Sequence, residues 1–131
     1  MTLLAVAKAA LERFHDVRED DDGTLSFGHG EIIAFVQAAT LEEGLDVLNL
    51  NCVVAWDLPF ETDVPTRVIM GAGDGLFGTP RVVRGERGWD VTLRYAFPGA
   101  GLGVEAMGTL LMLVVSNASQ LRTELIAGRS A

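Results

Sequence analysis

The composition of this 131-residue chain is that of a folded, acidic protein: 49% of the residues are hydrophobic, 21% are charged, and the formal net charge at pH 7 is −8. The hydrophobic content is too high for a disordered chain, so we predict a single domain over residues 1–131. The negative charge disfavours direct binding to nucleic acid or to an anionic membrane surface, because both would repel the chain. The single cysteine, Cys52, cannot form an internal disulfide and suits a reducing compartment, so we expect a cytoplasmic protein.

Hydrophobic spacing predicts a helix at the start of the chain, followed by a turn. The apolar residues of this helix recur three or four positions apart, at Leu3, Val6, Ala7, Ala10 and Phe14. The acidic stretch "HDVREDDDG" follows and predicts a solvated turn. Its acidic residues lack the ligand spacing of an EF-hand loop, so we expect no calcium site there.

Three strands are predicted next, because β-branched and aromatic residues dominate "TLSFG", "EIIAFVQAAT" and "LDVLNLNCVVAWDLP". In the longest strand the even-numbered positions are wholly apolar: Leu48, Leu50, Cys52, Val54 and Trp56. The odd-numbered positions are mixed: Val47, Asn49, Asn51, Val53 and Ala55. Side chains alternate between the two faces of a strand, so we predict that the even face packs against a helix and the odd face is partly exposed.

The second half of the chain predicts a short helix, a hairpin and a long helix. Thr62 or Asp63 can cap the short helix, which ends near Met70. The strands of the hairpin are "PRVVRG" and "WDVTLRYAF". The long helix runs from about Val104 to Ala127. The resulting order is α-β-β-β-α-β-β-α, which predicts an α+β fold with an antiparallel sheet and helices on one face.

The last helix is apolar on more than one side. Its main stripe repeats every three or four residues, at Val104, Met107, Leu111, Val114, Ala118, Leu121 and Leu125. Three further apolar residues lie outside that stripe, at Leu110, Leu113 and Val115. One side of the helix can cover the sheet, and the other needs the first helix or a second copy of the chain. We therefore predict a homodimer in which these three residues contribute to dimerisation.

The stretch "RYAFPGAGLGVEAMGTLLML" places a glycine-rich turn between a strand and a helix, as in nucleotide-binding loops. The dinucleotide fingerprint needs a third glycine and a following strand, but Val104 takes the third position and no strand is predicted after the helix. A second candidate, "GDGLFG", runs into a strand instead of a helix. Lys8 is the only lysine and lies outside both motifs, so a P-loop is not predicted. We expect no nucleotide and no other cofactor.

Three side chains are candidates for catalysis or metal binding. His15 falls at the end of the first helix and His29 in a turn, so the sequence supplies no partner for a nucleophile–base arrangement. Cys52 lies in the middle of a strand on its apolar face, where burial raises the pKa of a thiol. One cysteine and two separate histidines do not make a zinc site. We predict a protein that is not an enzyme, with no catalytic, cofactor-binding or metal-binding residues.

The order of elements and four stretches of sequence resemble the YbjN family, which shares the fold of the type III secretion chaperones. The stretches are "GTLSFGHGEIIAFVQA", "LNLNCVVAWDLP", "GAGDGLFGTPRVV" and "VTLRYAFPGAGLGVEAMGTLLMLVV". The resemblance implies a protein that dimerises and holds segments of partner proteins against an apolar surface. It implies no catalytic residues.

Two functional hypotheses follow. The first is a protein-binding module, chaperone-like or adaptor-like, that binds segments of a partner protein through Val47, Val53 and Phe60. The alternative is a small-ligand-binding or enzymatic domain with a pocket between the sheet and the last helix. Asn49 and Asn51 would be the polar residues of that pocket, because they are the polar side chains placed mid-strand.

Overall fold

The computed structural model describes residues 2–71 and 77–129, and in these residues the chain forms three helices and six strands. In chain order they are α1 (Leu3–Glu12), β1 (Arg18–Glu19), β2 (Leu25–His29), β3 (Ile32–Glu42), β4 (Leu45–Leu58), α2 (Val64–Gly71), β5 (Thr79–Arg84), β6 (Trp89–Pro98) and α3 (Val104–Arg129). The strands form one sheet of order β1-β2-β3-β4-β6-β5, and each neighbouring pair is antiparallel. The predicted α+β class and antiparallel sheet are confirmed.

One face of the sheet, the covered face, carries the hydrophobic core. Helices α1 and α3 pack on it, and α2 packs against α3 and β5. The strand residues of this core share alternate positions: Leu25, Phe27, Ile32, Ala34, Val36, Leu48, Leu50, Cys52, Val54, Val91, Leu93 and Phe97. Burying one Leu, Val or Phe side chain contributes roughly 1.5–3 kcal/mol, so this row of residues fixes which face the helices cover.

Helix α3 is the main element on the covered face. Its predicted apolar stripe is confirmed: Val104 is partly buried against the core, and the other members are buried in it, at Met107, Leu111, Val114, Ala118, Leu121 and Leu125. Two arginines tie its C-terminal half to other elements: Arg122 Nη1 donates to the carbonyl of Val54 at 3.0 Å, and Arg67 Nη2 on α2 donates to the carbonyl of Glu124 at 2.8 Å. By length and hydropathy α3 could also cross a membrane, a test that core helices of soluble proteins pass too.

The glycine-rich turn before α3 is a connection that permits close packing. A Cβ at Gly99 would lie 2.7 Å from Leu3 Cδ1, so a larger residue would require the Leu3 side chain to shift. Gly101 has φ +89°, a conformation that glycine adopts without strain. The predicted strand-to-helix connection is confirmed. Most of the second glycine-rich candidate, residues 73–78, lies outside the described residues.

The stretch predicted to be only a turn contains the short edge strand β1, so that prediction was incomplete. Arg18 pairs with Ser26 and Glu19 with Leu25. The tight turn that follows brings the chain back, with Gly23 at φ +88° and the amide of Thr24 donating to Asp22 Oδ1 at 3.0 Å. That hydrogen bond holds the pKa of Asp22 below its usual value.

The predicted alternation of β4 holds for its first part and fails at its end. Leu48 through Val54 follow the prediction, but Ala55 is buried and Trp56 is 58% exposed, the reverse of what was expected. The register of β4 against β6 shifts between Val53 and Ala55 and again before Leu58. Asp57 has φ +54° in this β-bulge. The extra residues of the bulge reverse which side chains face the core.

The bulge is held by a close approach from the turn between β5 and β6. A Cβ at Gly88 would lie 2.3 Å from the carbonyl oxygen of Leu58, so only glycine fits there. Asp90 Oδ1 accepts a hydrogen bond from the amide of Asp57 at 3.0 Å. The backbone group that the bulge removes from the ladder is thereby satisfied.

Candidate functional site

The opposite face of the sheet, the open face, carries a group of exposed apolar side chains. We call Ile33, Phe35, Val53 and Trp56 the open-face patch. Ile33 is 40% exposed, Trp56 is 58% exposed, and Val53 is half-buried. Large apolar residues that cluster on the surface of a small domain are typical of sites that bind another molecule.

Strand register places the members of the open-face patch next to one another. Ile33 on β3 lies directly opposite Val53 on β4, and Phe35 lies opposite Asn51. The bulge returns Trp56 to the same face. Ile33, Val53 and Trp56 line a shallow groove of about 340 Å³, which Glu31 and Arg122 border. The groove thus combines three apolar side chains with one anionic and one cationic group at its margin.

The centre of the open face is polar. Asn49 and Asn51 lie there half-buried, and Arg94 Nη2 on β6 donates to Asn49 Oδ1 at 3.1 Å. The alternative hypothesis placed both asparagines in a pocket between the sheet and the last helix. That placement was wrong, because Asn49 and Asn51 lie on the open face and buried apolar side chains fill the space between the sheet and α3.

The three residues predicted to bind a partner lie in two different surroundings. Val47 and Val53 are partly exposed on the open face, as predicted. Phe60 is covered by its own chain: the Arg84 guanidinium carbon lies 4.1 Å from the centre of its ring, and the Trp89 ring packs edge-on at 5.6 Å. The reason for assigning Phe60 to a partner was that nothing else would cover it, and that reason does not hold.

Sequence reasoning missed Ile33, Phe35 and Trp56. A signal for the first two was present, since alternate residues of "EIIAFVQAAT" separate into Ile32, Ala34 and Val36 on one face and Ile33 and Phe35 on the other. Both faces of this strand are apolar, so the pattern does not say which one is covered. Trp56 was assigned to the covered face, and that assignment was wrong because the bulge that exposes it depends on contacts with a distant turn.

The three residues predicted to contribute to dimerisation also differ in their surroundings. Val115 is fully buried in the core and Leu110 is half-buried against it, so their burial on a second side is explained within the chain. For Val115 this corrects the expectation that it would be free to contact a second copy. Leu113 is 40% exposed and lines a groove between α1 and α3.

The two histidines, expected to be separate, are in contact. His15 Nε2 lies 3.1 Å from His29 Nδ1, and the ring centres are 5.4 Å apart, so the rings are nearly end to end. His15 Nδ1 is buried without a partner. Leaving a bare ring nitrogen there costs less than burying an N–H, which favours the tautomer in which His15 Nε2 donates to His29 Nδ1.

This histidine pair joins the end of α1 to the β2–β3 hairpin, and His15 also packs edge-on against Phe27 at 5.1 Å. The end-to-end rings point their nitrogens at each other and not at a common third point. Among the residues that the structure describes, no group of three or more His, Cys, Asp or Glu side chains is placed to hold a metal ion.

Cys52 is buried in the core on the covered face, as predicted. Burial raises the pKa of its thiol to about 12. A thiol in this state is protonated at neutral pH and is a poor nucleophile.

Comparison with known proteins identifies the fold. No family model matches the sequence, and no curated protein matches it. The structure is similar to the crystal structure of the Yersinia pestis type III secretion chaperone SycH in complex with a stable fragment of YscM2. The TM-score is 0.53 at 10% sequence identity, and the match covers 92% of this chain and 99% of that one. The chain therefore has a type III secretion chaperone-like fold.

Proposed function

We propose that this chain is a non-enzymatic protein-binding module, chaperone-like or adaptor-like, that holds an apolar segment of a partner protein against the open-face patch. The observation that supports the proposal is the patch itself: Ile33, Phe35 and Trp56 are all exposed on one side of a sheet whose other side carries the buried core. Exposing such residues to water is unfavourable, and a bound apolar segment removes that exposure.

The similar structure supports the proposal, because SycH is a type III secretion chaperone in complex with a fragment of another protein. Membership of the YbjN family, action as a homodimer and a cytoplasmic location are parts of the same proposal. The single buried thiol of Cys52 is compatible with a reducing compartment.

The test is affinity capture from source cells with the wild-type chain, followed by titration of the captured protein in pure form. Ile33→Asp should weaken binding at least about tenfold, because it places a carboxylate in the patch. Ile69→Ser on α2 is the matched control, since Ile69 is 75% exposed but lies outside the patch. If the wild-type chain and Ile33→Asp bind the captured protein with equal affinity, the open-face patch is not the binding site.

A further inference from the structure

The open face of the sheet carries arginines, although the chain as a whole is acidic, with a net charge of −8. Arg94 on β6 lies on this face, because it donates a hydrogen bond to Asn49 there. Arg81 on β5 faces the same way, since its neighbour Val82 packs against the core on the other face. Both arginines are exposed, so their charges lie on the surface that also carries the open-face patch.

A third arginine, Arg18, reaches the open face from the opposite edge of the sheet. Its neighbour Glu19 pairs with Lys8 of α1 at 3.4 Å, which places Glu19 on the covered face. Successive residues of a strand point to opposite faces, so the exposed Arg18 points to the open face. Arginines therefore meet this face from both edges of the sheet.

Strand register places the apolar residues of the patch between these arginines. In one row across the sheet, Phe35 has Ser26 and then Arg18 on one side, and Asn51 and then Arg94 on the other. Neighbouring strands lie about 4.8 Å apart, so the backbone of each arginine is roughly 10 Å from that of Phe35. The patch is therefore an apolar stripe with a cationic group on each side.

The adjacent row continues this pattern towards β5. Ile33 lies opposite Val53, which is followed by Thr92 and then by Arg81. From β3 to β5 the two rows hold apolar residues, uncharged polar residues and arginines. The middle of the open face is thus cationic in a chain whose charge is mainly negative.

The described part of the chain supplies no counterion for these arginines. Among residues 2–71 and 77–129 the ion pair that is present joins Lys8 and Glu19. The carboxylate of Asp90 accepts a hydrogen bond from the amide of Asp57, and Glu31 lies at the margin of the groove. The arginine guanidinium group is well suited to a carboxylate, because it can donate two parallel hydrogen bonds to it. Carboxylates of another molecule would satisfy these groups.

A segment that lies over the open face must satisfy its own backbone hydrogen bonds. Strand β3 pairs with β2 and β4, and β4 pairs with β3 and β6, so the backbone groups of both strands are used within the sheet. An extended segment finds backbone partners at the edge of a sheet but not on its face. An α-helix satisfies its backbone internally, and its diameter of about 10 Å suits a stripe two strands wide.

We infer that the partner segment is an acidic amphipathic helix. Its apolar side chains pack on Ile33, Phe35 and Trp56, and carboxylates on its flanks pair with the arginines of the open face. This inference rests on the proposed function and states the chemistry of the segment that the patch holds. Charge complementarity of this kind selects among partners that have similar apolar surfaces.

Two synthetic peptides of about 18 residues test the sign of the charge. Both carry the same stripe of leucines at helical spacing, with glutamates beside the stripe in one peptide and lysines in the other. The glutamate peptide should bind the full chain at least about tenfold more tightly in a fluorescence anisotropy titration. The net charge of −8 acting alone would favour the lysine peptide, so the two explanations predict opposite orders of affinity.

Substitutions of the arginines test the location. Arg81→Glu and Arg94→Glu should each weaken binding of the glutamate peptide about fivefold, because an attraction becomes a repulsion. Arg13→Glu is the matched control, since it changes the net charge equally at an exposed residue beside the groove between α1 and α3. It should change the affinity less than about twofold. Arg94→Lys keeps the charge but loses the planar pair of donors, so it should weaken binding less than Arg94→Glu.

Two results with the peptides would overturn the inference. One is a glutamate peptide that binds no more tightly than the lysine peptide, including the case in which neither binds. The other is an affinity for the glutamate peptide that falls as much in Arg13→Glu as in the open-face variants.

The captured partner separates this inference from the proposed function. A partner that Ile33→Asp fails to bind, but that Arg81→Glu and Arg94→Glu bind as tightly as the wild type, leaves the patch as the binding site and rules out the acidic helix. Equal binding of that partner to the wild type and to Ile33→Asp is instead the failure of the proposed function. Loss of binding in all three variants supports both.

Discussion

The two faces of the sheet are made from the same strands but meet different surroundings. On the covered face Leu48, Leu50 and Val54 are fully buried under the helices. On the open face the neighbouring residues of the same strands are partly exposed, and Ile33, Phe35 and Trp56 remain in contact with water. The difference shows that apolar residues alone do not define a core, because on one side no helix in the described part of the chain covers them. Their presence there suits a surface that binds another chain.

The largest difference between the faces should appear at two adjacent valines of β4. Val54→Asp buries an unpaired carboxylate, so we expect the free energy of unfolding to fall by at least about 4 kcal/mol. Val53→Asp, on the open face, should cost less than about 1 kcal/mol because its carboxylate remains hydrated. Urea denaturation followed by circular dichroism measures both. Similar losses for the two variants would mean that both faces are buried.

The contact that holds the β-bulge at the end of β4 can be tested by substituting Gly88. Gly88→Ala would place a Cβ 2.3 Å from the carbonyl oxygen of Leu58, so we expect a loss of about 2 kcal/mol or more as the bulge is displaced. Gly28→Ala is the control, because its Cβ would meet only an ordinary contact at 4.0 Å. A Gly88→Ala protein as stable as the wild type would show that the bulge is not held by this turn.

Loss of the contact between His15 and His29 should destabilise the protein less than the changes at Val54 and Gly88. His29→Ala removes the hydrogen-bond partner of His15 and should lower the free energy of unfolding by about 1 kcal/mol. His29→Gln keeps an oxygen that can accept from His15 Nε2, so it should lose less. The comparison is made by thermal melts of the three proteins in the same buffer. Equal melting temperatures for His29→Ala and the wild type would argue against a stabilising hydrogen bond between His15 and His29.

The smallest change in stability should come from the open-face patch. Trp56→Ser removes a side chain that is 58% exposed, so we expect a change of less than about 0.5 kcal/mol. Truncating a buried tryptophan costs about 3–5 kcal/mol instead. A loss of that size in a chemical denaturation experiment would show that Trp56 is in the core and that the strand does not turn over.

The order of the main elements and the covered side of β4 could be predicted from sequence, because both depend on local periodicity. Leu48 to Val54 alternate with a period of two, and α3 repeats its apolar residues every three or four positions. Such patterns identify elements without reference to the rest of the chain. The half-exposed positions of Val47 and Val53 follow from the same alternation.

The features that were missed depend on contacts between distant parts of the chain. The exposure of Trp56 requires Gly88 and Asp90, which lie more than 30 positions further along. Phe14, predicted to lie in the buried stripe of α1, is 83% exposed, because α1 ends at Glu12 and His15 takes the inward place in contact with His29. Pairing of β1 requires β2 beside it, since a two-residue strand has no periodicity of its own. No local pattern specifies these contacts.

Hydroxyl-radical footprinting of Trp56 and Phe35, with and without the captured partner fragment, tests most directly whether the open face binds a partner. The account predicts that both side chains are oxidised readily in the free protein and are protected in the complex, while Ile69 on α2 is oxidised equally in both states. Unchanged oxidation of Trp56 and Phe35 in a saturated complex would contradict it, because the partner would then be bound elsewhere.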